Sequence, residues 1–124
     1  MRTFCLISAL SLLLLASHAQ AQNNCPANGA DGRKRIISEA KTCTAAGRLY
    51  QRCLQFTSLN LSLATIVTEK CEQEFVVKKV SKARLAKYHR AIDACNKSKG
   101  RGTGARSAAA GCRVRAALRT ASGR

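Results

Sequence analysis

The chain has 124 residues, with 22 Lys and Arg against six Asp and Glu, a formal charge of +16, seven cysteines, two histidines and no Trp. That length suits one small domain. So few acids and imidazoles leave little material for acid-base catalysis or for a histidine-rich metal centre.

Arg2 supplies a positive start, Phe4 to Leu15 an apolar stretch, and Ala19-Gln20-Ala21 a small-x-small cleavage signal, so residues 1–21 are expected to be a removable signal peptide. The apolar run stops at Ser17, His18 and Gln20, short of the about 20 apolar residues that cross hydrocarbon. Cutting before Gln22 removes one cation, one cysteine and one histidine. It leaves 103 residues with 21 cations and six acids, a charge of +15. The expected location is therefore secreted, or periplasmic in a bacterium. Six cysteines remain, Cys25, Cys43, Cys53, Cys71, Cys95 and Cys112. An even number in an oxidising compartment predicts three disulfides. A zinc site is disfavoured, because only His89 could join the thiolates, and no cofactor or metal is expected.

Residues 22–98 are expected to form a helical hairpin core. From Gly32 to Phe56, Ile36, Ala40, Cys43, Gly47, Tyr50 and Leu54 recur at 4-3-4-3-4 spacing, the apolar stripe of one helix. Asp31 is its expected cap, and Arg33-Lys34-Arg35 at its start would oppose the helix dipole. Gly47 is a weak point in that helix. After a break at Thr57 to Asn60, a second helical stretch runs from Leu61 to Lys97, with Leu63, Val67 and Cys71 early and Leu85, Tyr88, Ile92 and Cys95 late. Bulky Phe75, Val76, Val77 and Val80 leave a kink or a short extended piece near Val76 to Ser81 as an alternative. A continuous helix is favoured, since neither Pro nor Gly interrupts residues 48–99.

Residues 99–104, with glycines at 100, 102 and 104, form the expected linker. Residues 105–124 are expected to form a basic, Ala- and Arg-rich helix with a thin apolar face. The fold class expected is all-α: a small disulfide-stapled helical hairpin or three-helix bundle with a weakly ordered, Arg-rich carboxyl-terminal segment. Six cysteines allow 15 pairings. A hairpin turning near residue 62 places Cys53 opposite Cys71, a turn near 103 places Cys95 opposite Cys112, and Cys25 is left for Cys43. Each bridge would stabilise by about 3 kcal/mol through loop entropy.

Two sequons, Asn60-Leu61-Ser62 and Asn96-Lys97-Ser98, are candidate glycosylation sites, Asn60 being placed in the expected turn. Lys34-Arg35 is better explained as a solvated basic turn than as a processing site.

No acid follows Asp93, and residues 97–124 carry eight cations. Charge of this size exceeds what solubility requires in a small domain and repels itself, which points to an anionic partner. The expected contacts are Arg101, Arg106, Arg113, Arg115 and Arg119 at the carboxyl end, with Lys78, Lys79, Lys82, Lys87 and Arg90 on the second helix. Anionic partners outside a cytoplasm are sulfated glycans, anionic lipids, lipopolysaccharide and released nucleic acid, in host defence or otherwise. Few aromatics are available for stacking, so any nucleic-acid binding would be non-specific. The alternative is a secreted interaction module, such as a signalling ligand, inhibitor or effector, that engages a specific protein partner. It would resist salt better than an electrostatic binder.

Catalysis is not expected. The mature chain has one histidine, so a two-histidine nuclease arrangement is excluded. His89 with Asp93, four apart, suits a surface contact, and Glu69 with Glu72 suits a solvated helical side better than a glycosidase pair. The glycines at 100, 102 and 104 lack the strand and the third motif glycine of a phosphate-cradling loop. The cysteine spacing itself identifies no family.

Overall fold

The computed structural model describes residues 24–54, 59–97 and 100–124. The expected signal peptide lies outside the described residues. Those residues form five helices: α1 (Gly29–Ser38), α2 (Cys43–Cys53), α3 (Leu59–Val77), α4 (Lys82–Asn96) and α5 (Thr103–Ser122), with no strand among them. Three disulfides tie the helices together. The expected all-α, disulfide-stapled bundle is the observed class, assembled from five shorter helices.

The first expected helix is two. The Thr42 hydroxyl accepts the Ala45 N–H at 3.1 Å and caps a fresh helix start, so the chain breaks between Ser38 and Cys43. The break shifts the phase of the stripe. Ile37 is fully buried in α1 where Ile36 was expected, and Leu54 is exposed. Because α1 begins at Gly29, Arg33-Lys34-Arg35 lies well inside it. Arg35 occupies the last turn and Asp31 the first, both favourable to the dipole. The expected cap at Asp31 is corrected accordingly: Asn28 holds the capping position, without a side-chain bond. The Arg33 guanidinium donates to the Cys53 carbonyl at 3.3 Å, securing the end of α2.

The favoured continuous second helix is interrupted at Lys78 to Ser81, within the stretch where a kink or short extended piece was the alternative, while Val76 and Val77 remain helical. Val80 N–H bonds the Phe75 carbonyl at 3.0 Å and Lys79 N–H the Val76 carbonyl at 3.1 Å, while Lys79 takes φ +51°. This is the Schellman arrangement, with a left-handed residue past the helix end. Val80 folds back onto the core and Ser81 caps α4 through the Arg84 N–H. The end of α5 repeats the pattern, with Arg124 N–H on the Arg119 carbonyl and Gly123 N–H on the Thr120 carbonyl, but there the left-handed residue is Gly123. Lysine bears a Cβ penalty that glycine avoids. Lys79→Gly is therefore expected to raise the urea midpoint by the equivalent of about 0.5–1 kcal/mol, the relief exceeding the added unfolded-state entropy. Lys79→Ala, which removes the same charge without freeing the backbone, should bring no such gain.

The carboxyl-terminal segment, expected to be weakly ordered, is a 20-residue helix that packs on α2, α3 and α4. Its small side chains explain this: Ala110, Val114, Ala116 and Ala117 are all buried and let α5 approach its neighbours closely. Gly47 serves the same end on α2. A Cβ there would lie 2.5 Å from Leu118 Cδ2, so the propensity lost at Gly47 is exchanged for contact with α5. The remaining core is Ile37, Ala40, Ala46, Tyr50, Leu63, Ala64, Val67, Phe75 and Tyr88 with buried cysteines.

Two of the three expected disulfides are corrected. The bridges are Cys25–Cys53, Cys43–Cys71 and Cys95–Cys112, of which only the last was expected. Because α3 starts at Leu59, residue 62 lies inside that helix and the reversal falls earlier in the chain. An earlier reversal sets Cys71 against a residue before Cys53, and Cys43 at the start of α2 is the cysteine that meets it. Cys25 is then left for Cys53, pinning the amino-terminal segment to the end of α2.

Candidate polyanion-binding surface

All six acids fall within the described residues, and there one ion pair forms, Lys78 with Glu74. Glu74 also accepts the Cys43 N–H at 2.6 Å. The Lys78 bond first, and the Cys43 N–H second, hold its carboxyl below the usual range. Asp31, Glu39, Glu69 and Asp93 are exposed and form no ion pair with another described residue. The large cation excess is therefore displayed, not neutralised internally.

The expected contact residues do not form one patch. On α4, Lys82, Lys87 and Arg90 are exposed on the side away from buried Tyr88 and Cys95. On α5, Arg106 and Arg113 are seven residues apart on one side, where Arg113 donates to Asn96 Oδ1 at 3.0 Å and both line a shallow cleft with Leu61 and Ala109. Arg115 and Arg119 occupy another side. Arg115 reaches the α2 flank, lining a groove of about 600 Å³ with Tyr50, Gln51 and Gly111. Burial pushes the Tyr50 hydroxyl up, and the charges of Arg115 and Arg113 oppose that shift. Arg101 is exposed in the loop before α5, and Lys78 and Lys79 are exposed at the α3–α4 corner. The position of α5 inside the bundle thus divides the arginines of the carboxyl-terminal segment among several sides.

The structure also gathers cations that sequence reasoning missed. Arg48 and Arg52 on α2 and Arg124 beyond α5 line one groove of about 460 Å³, with Gly47 and Leu118 beside them and no acid among the lining residues. The four-residue spacing of Arg48 and Arg52 was legible. Arg124 was not, because it arrives from a helix expected to be peripheral.

The two sequons differ. Asn96 is exposed at the end of α4. Asn60, expected in a turn, lies in the first turn of α3, is 5% exposed and lines the groove that holds Tyr50 and Arg115. His89 packs its ring against Tyr88 at 5.4 Å and makes no ion pair with Asp93. Glu72 accepts the Tyr88 hydroxyl at 2.7 Å, a structural use. Among the described residues, no cluster of His, Cys, Asp and Glu is placed to hold a metal, and no helix is long and apolar enough to cross a membrane.

The fold and surface define a small, strongly cationic, disulfide-stapled helical bundle. Its three crosslinks are compatible with an extracellular setting. Comparison of the chain with protein-family models, curated proteins and solved structures gives no match.

Proposed function

We propose that this is a secreted cationic protein that binds polyanions by electrostatic attraction, with sulfated glycans, anionic lipids, lipopolysaccharide and nucleic acid as the chemical classes it suits. The observation that carries this reading is the single ion pair: among the described residues, which include every acid, only Lys78 finds a carboxylate. Uncompensated cations on a compact scaffold destabilise it by self-repulsion, a cost that an anionic partner relieves. Arginines predominate on α2 and α5, and their planar forks match the oxygens of sulfate and phosphate groups. Because the cations cover several faces, the binding is broad and charge-driven, not a shaped lock for one ligand.

The test is neutralisation of exposed cations remote from the core. Lys82→Gln, Lys87→Gln and Arg90→Gln combined are expected to weaken heparin binding several-fold while leaving the thermal midpoint nearly unchanged. Unchanged heparin affinity in that triple variant would contradict the reading.

A further inference from the structure

Val76 and Val77, at the end of α3, are 78% and 80% exposed, far more than Leu54 at 38%, the other exposed large apolar side chain among the described residues. They are adjacent, lie in a helix whose other exposed residues, Ser62, Thr65, Glu69, Glu72 and Gln73, are all polar, and are followed at once by Lys78 and Lys79. Solitary exposed apolar side chains are ordinary, but two neighbours this bare beside a concentration of lysines are not explained by the packing of the bundle.

The cleft next to them has matching chemistry. Lys41 from the α1–α2 connection, Lys70 from α3 and Lys78 from the corner line a shallow depression of about 330 Å³, and Val77 forms part of its wall. Glu74 lies in the same depression, but its oxygens are already engaged by the Cys43 N–H and Lys78. Lys79 and Lys82 continue the positive charge around the corner, both exposed. Ammonium groups beside an insertable apolar pair fit an anionic lipid surface, with phosphates received by the lysines and the valines entering the acyl boundary. A soluble glycan would satisfy the lysines and leave the valines in water.

We infer that the α3–α4 corner is a membrane-docking element, in which Val76 and Val77 insert into an anionic bilayer and the unpaired Lys41 and Lys70 hold lipid phosphates. This rests on the proposed polyanion binding and names the partner for one part of its surface. Lysines alone would give adsorption lost at moderate salt, whereas the valines add a term that salt does not screen.

The experiment compares the oxidised mature protein with Val76→Ser/Val77→Ser on vesicles of phosphatidylglycerol with phosphatidylcholine, on pure phosphatidylcholine vesicles and on heparin. The double variant is expected to bind the anionic vesicles at least about tenfold more weakly and heparin within about twofold of the parent. Lys41→Gln or Lys70→Gln should cost about fivefold each on anionic vesicles. The chain contains no Trp, so Val77→Trp supplies a single indole, excited selectively over the two tyrosines, whose emission should shift to the blue on anionic vesicles and not with heparin. The valines are solvent-facing, and circular dichroism of both variants should match the parent. Undiminished vesicle binding by the serine variant, or an unshifted emission from the Val77→Trp variant, would overturn the docking element while leaving heparin binding intact. Absence of binding to vesicles and heparin alike would overturn the polyanion reading itself.

Discussion

Replacing Tyr88 by alanine is expected to destabilise the protein by about 3–5 kcal/mol and to loosen α4 from the bundle. The backbone of α4 approaches that of α5 but not that of α3. Its buried contributions are two side chains, Tyr88 and Cys95. Tyr88 spans the gap to α3: its ring meets Phe75 edge-on at 5.2 Å and 79°, and its hydroxyl donates to Glu72 at 2.7 Å. Removing it deletes both links and opens a cavity in a core already poor in aromatics. Urea denaturation would measure the loss, and hydrogen exchange would show residues 82–96 losing protection before α3 and α5. Tyr88→Phe keeps the ring and should cost about 1 kcal/mol, since exposed Glu72 regains water.

The same pair supplies a pH signature. Burial, followed by the Glu72 bond and its charge, raises the Tyr88 hydroxyl well above its ordinary value of 10.0, with Arg113 opposing. A native pKa above the unfolded one means that this contribution is complete below pH 10 and is lost as pH rises toward the native value. Tyr88→Phe should therefore show a shallower alkaline decline than the parent.

Removing the Cys43–Cys71 bridge by Cys43→Ala and Cys71→Ala is expected to cost about 3.5 kcal/mol from the entropy of its 28-residue separation, plus a further loss from buried volume. Both residues are 0% exposed in the core, and the adjacent Cys43 N–H anchors Glu74. Cys25–Cys53 closes the same 28-residue separation, but Cys25 is only partly buried beside an irregular segment. Loop entropy alone predicts equal costs for the two. Packing predicts that Cys25→Ala/Cys53→Ala is the milder change, and chemical denaturation of both variants decides between these accounts.

The pattern of what was legible follows from which boundaries the chain marks. Cys95–Cys112 was readable because glycines at 100, 102 and 104 fix the reversal between them. The other two bridges depended on the reversal between α2 and α3, where no Pro or Gly stands. Placing it at 62, a residue inside α3, instead of before Leu59 moves the partner of Cys71 from Cys43 to Cys53. The division of α1 from α2 was hidden because the apolar spacing through Ile36, Ala40 and Cys43 continues across it, and the Thr42 cap acts without breaking that rhythm. The corner after α3 was foreseen only as an alternative, since its left-handed residue is Lys79 and not glycine. Likewise, a face of Ala and Val looks thin in isolation, and only the close approach of neighbouring helices makes α5 part of the core. The cations were legible as residues but not as surfaces, because Arg48, Arg52 and Arg124 meet only once α5 is packed on α2.

The most direct measurement of the central claim is the heparin affinity of the oxidised mature protein across a salt series. Displayed, unpaired cations predict that log Kd rises linearly with log salt concentration as the gain from counterion release shrinks, with a slope reporting several simultaneous contacts. A Kd that stays constant from low to physiological salt would contradict electrostatic binding.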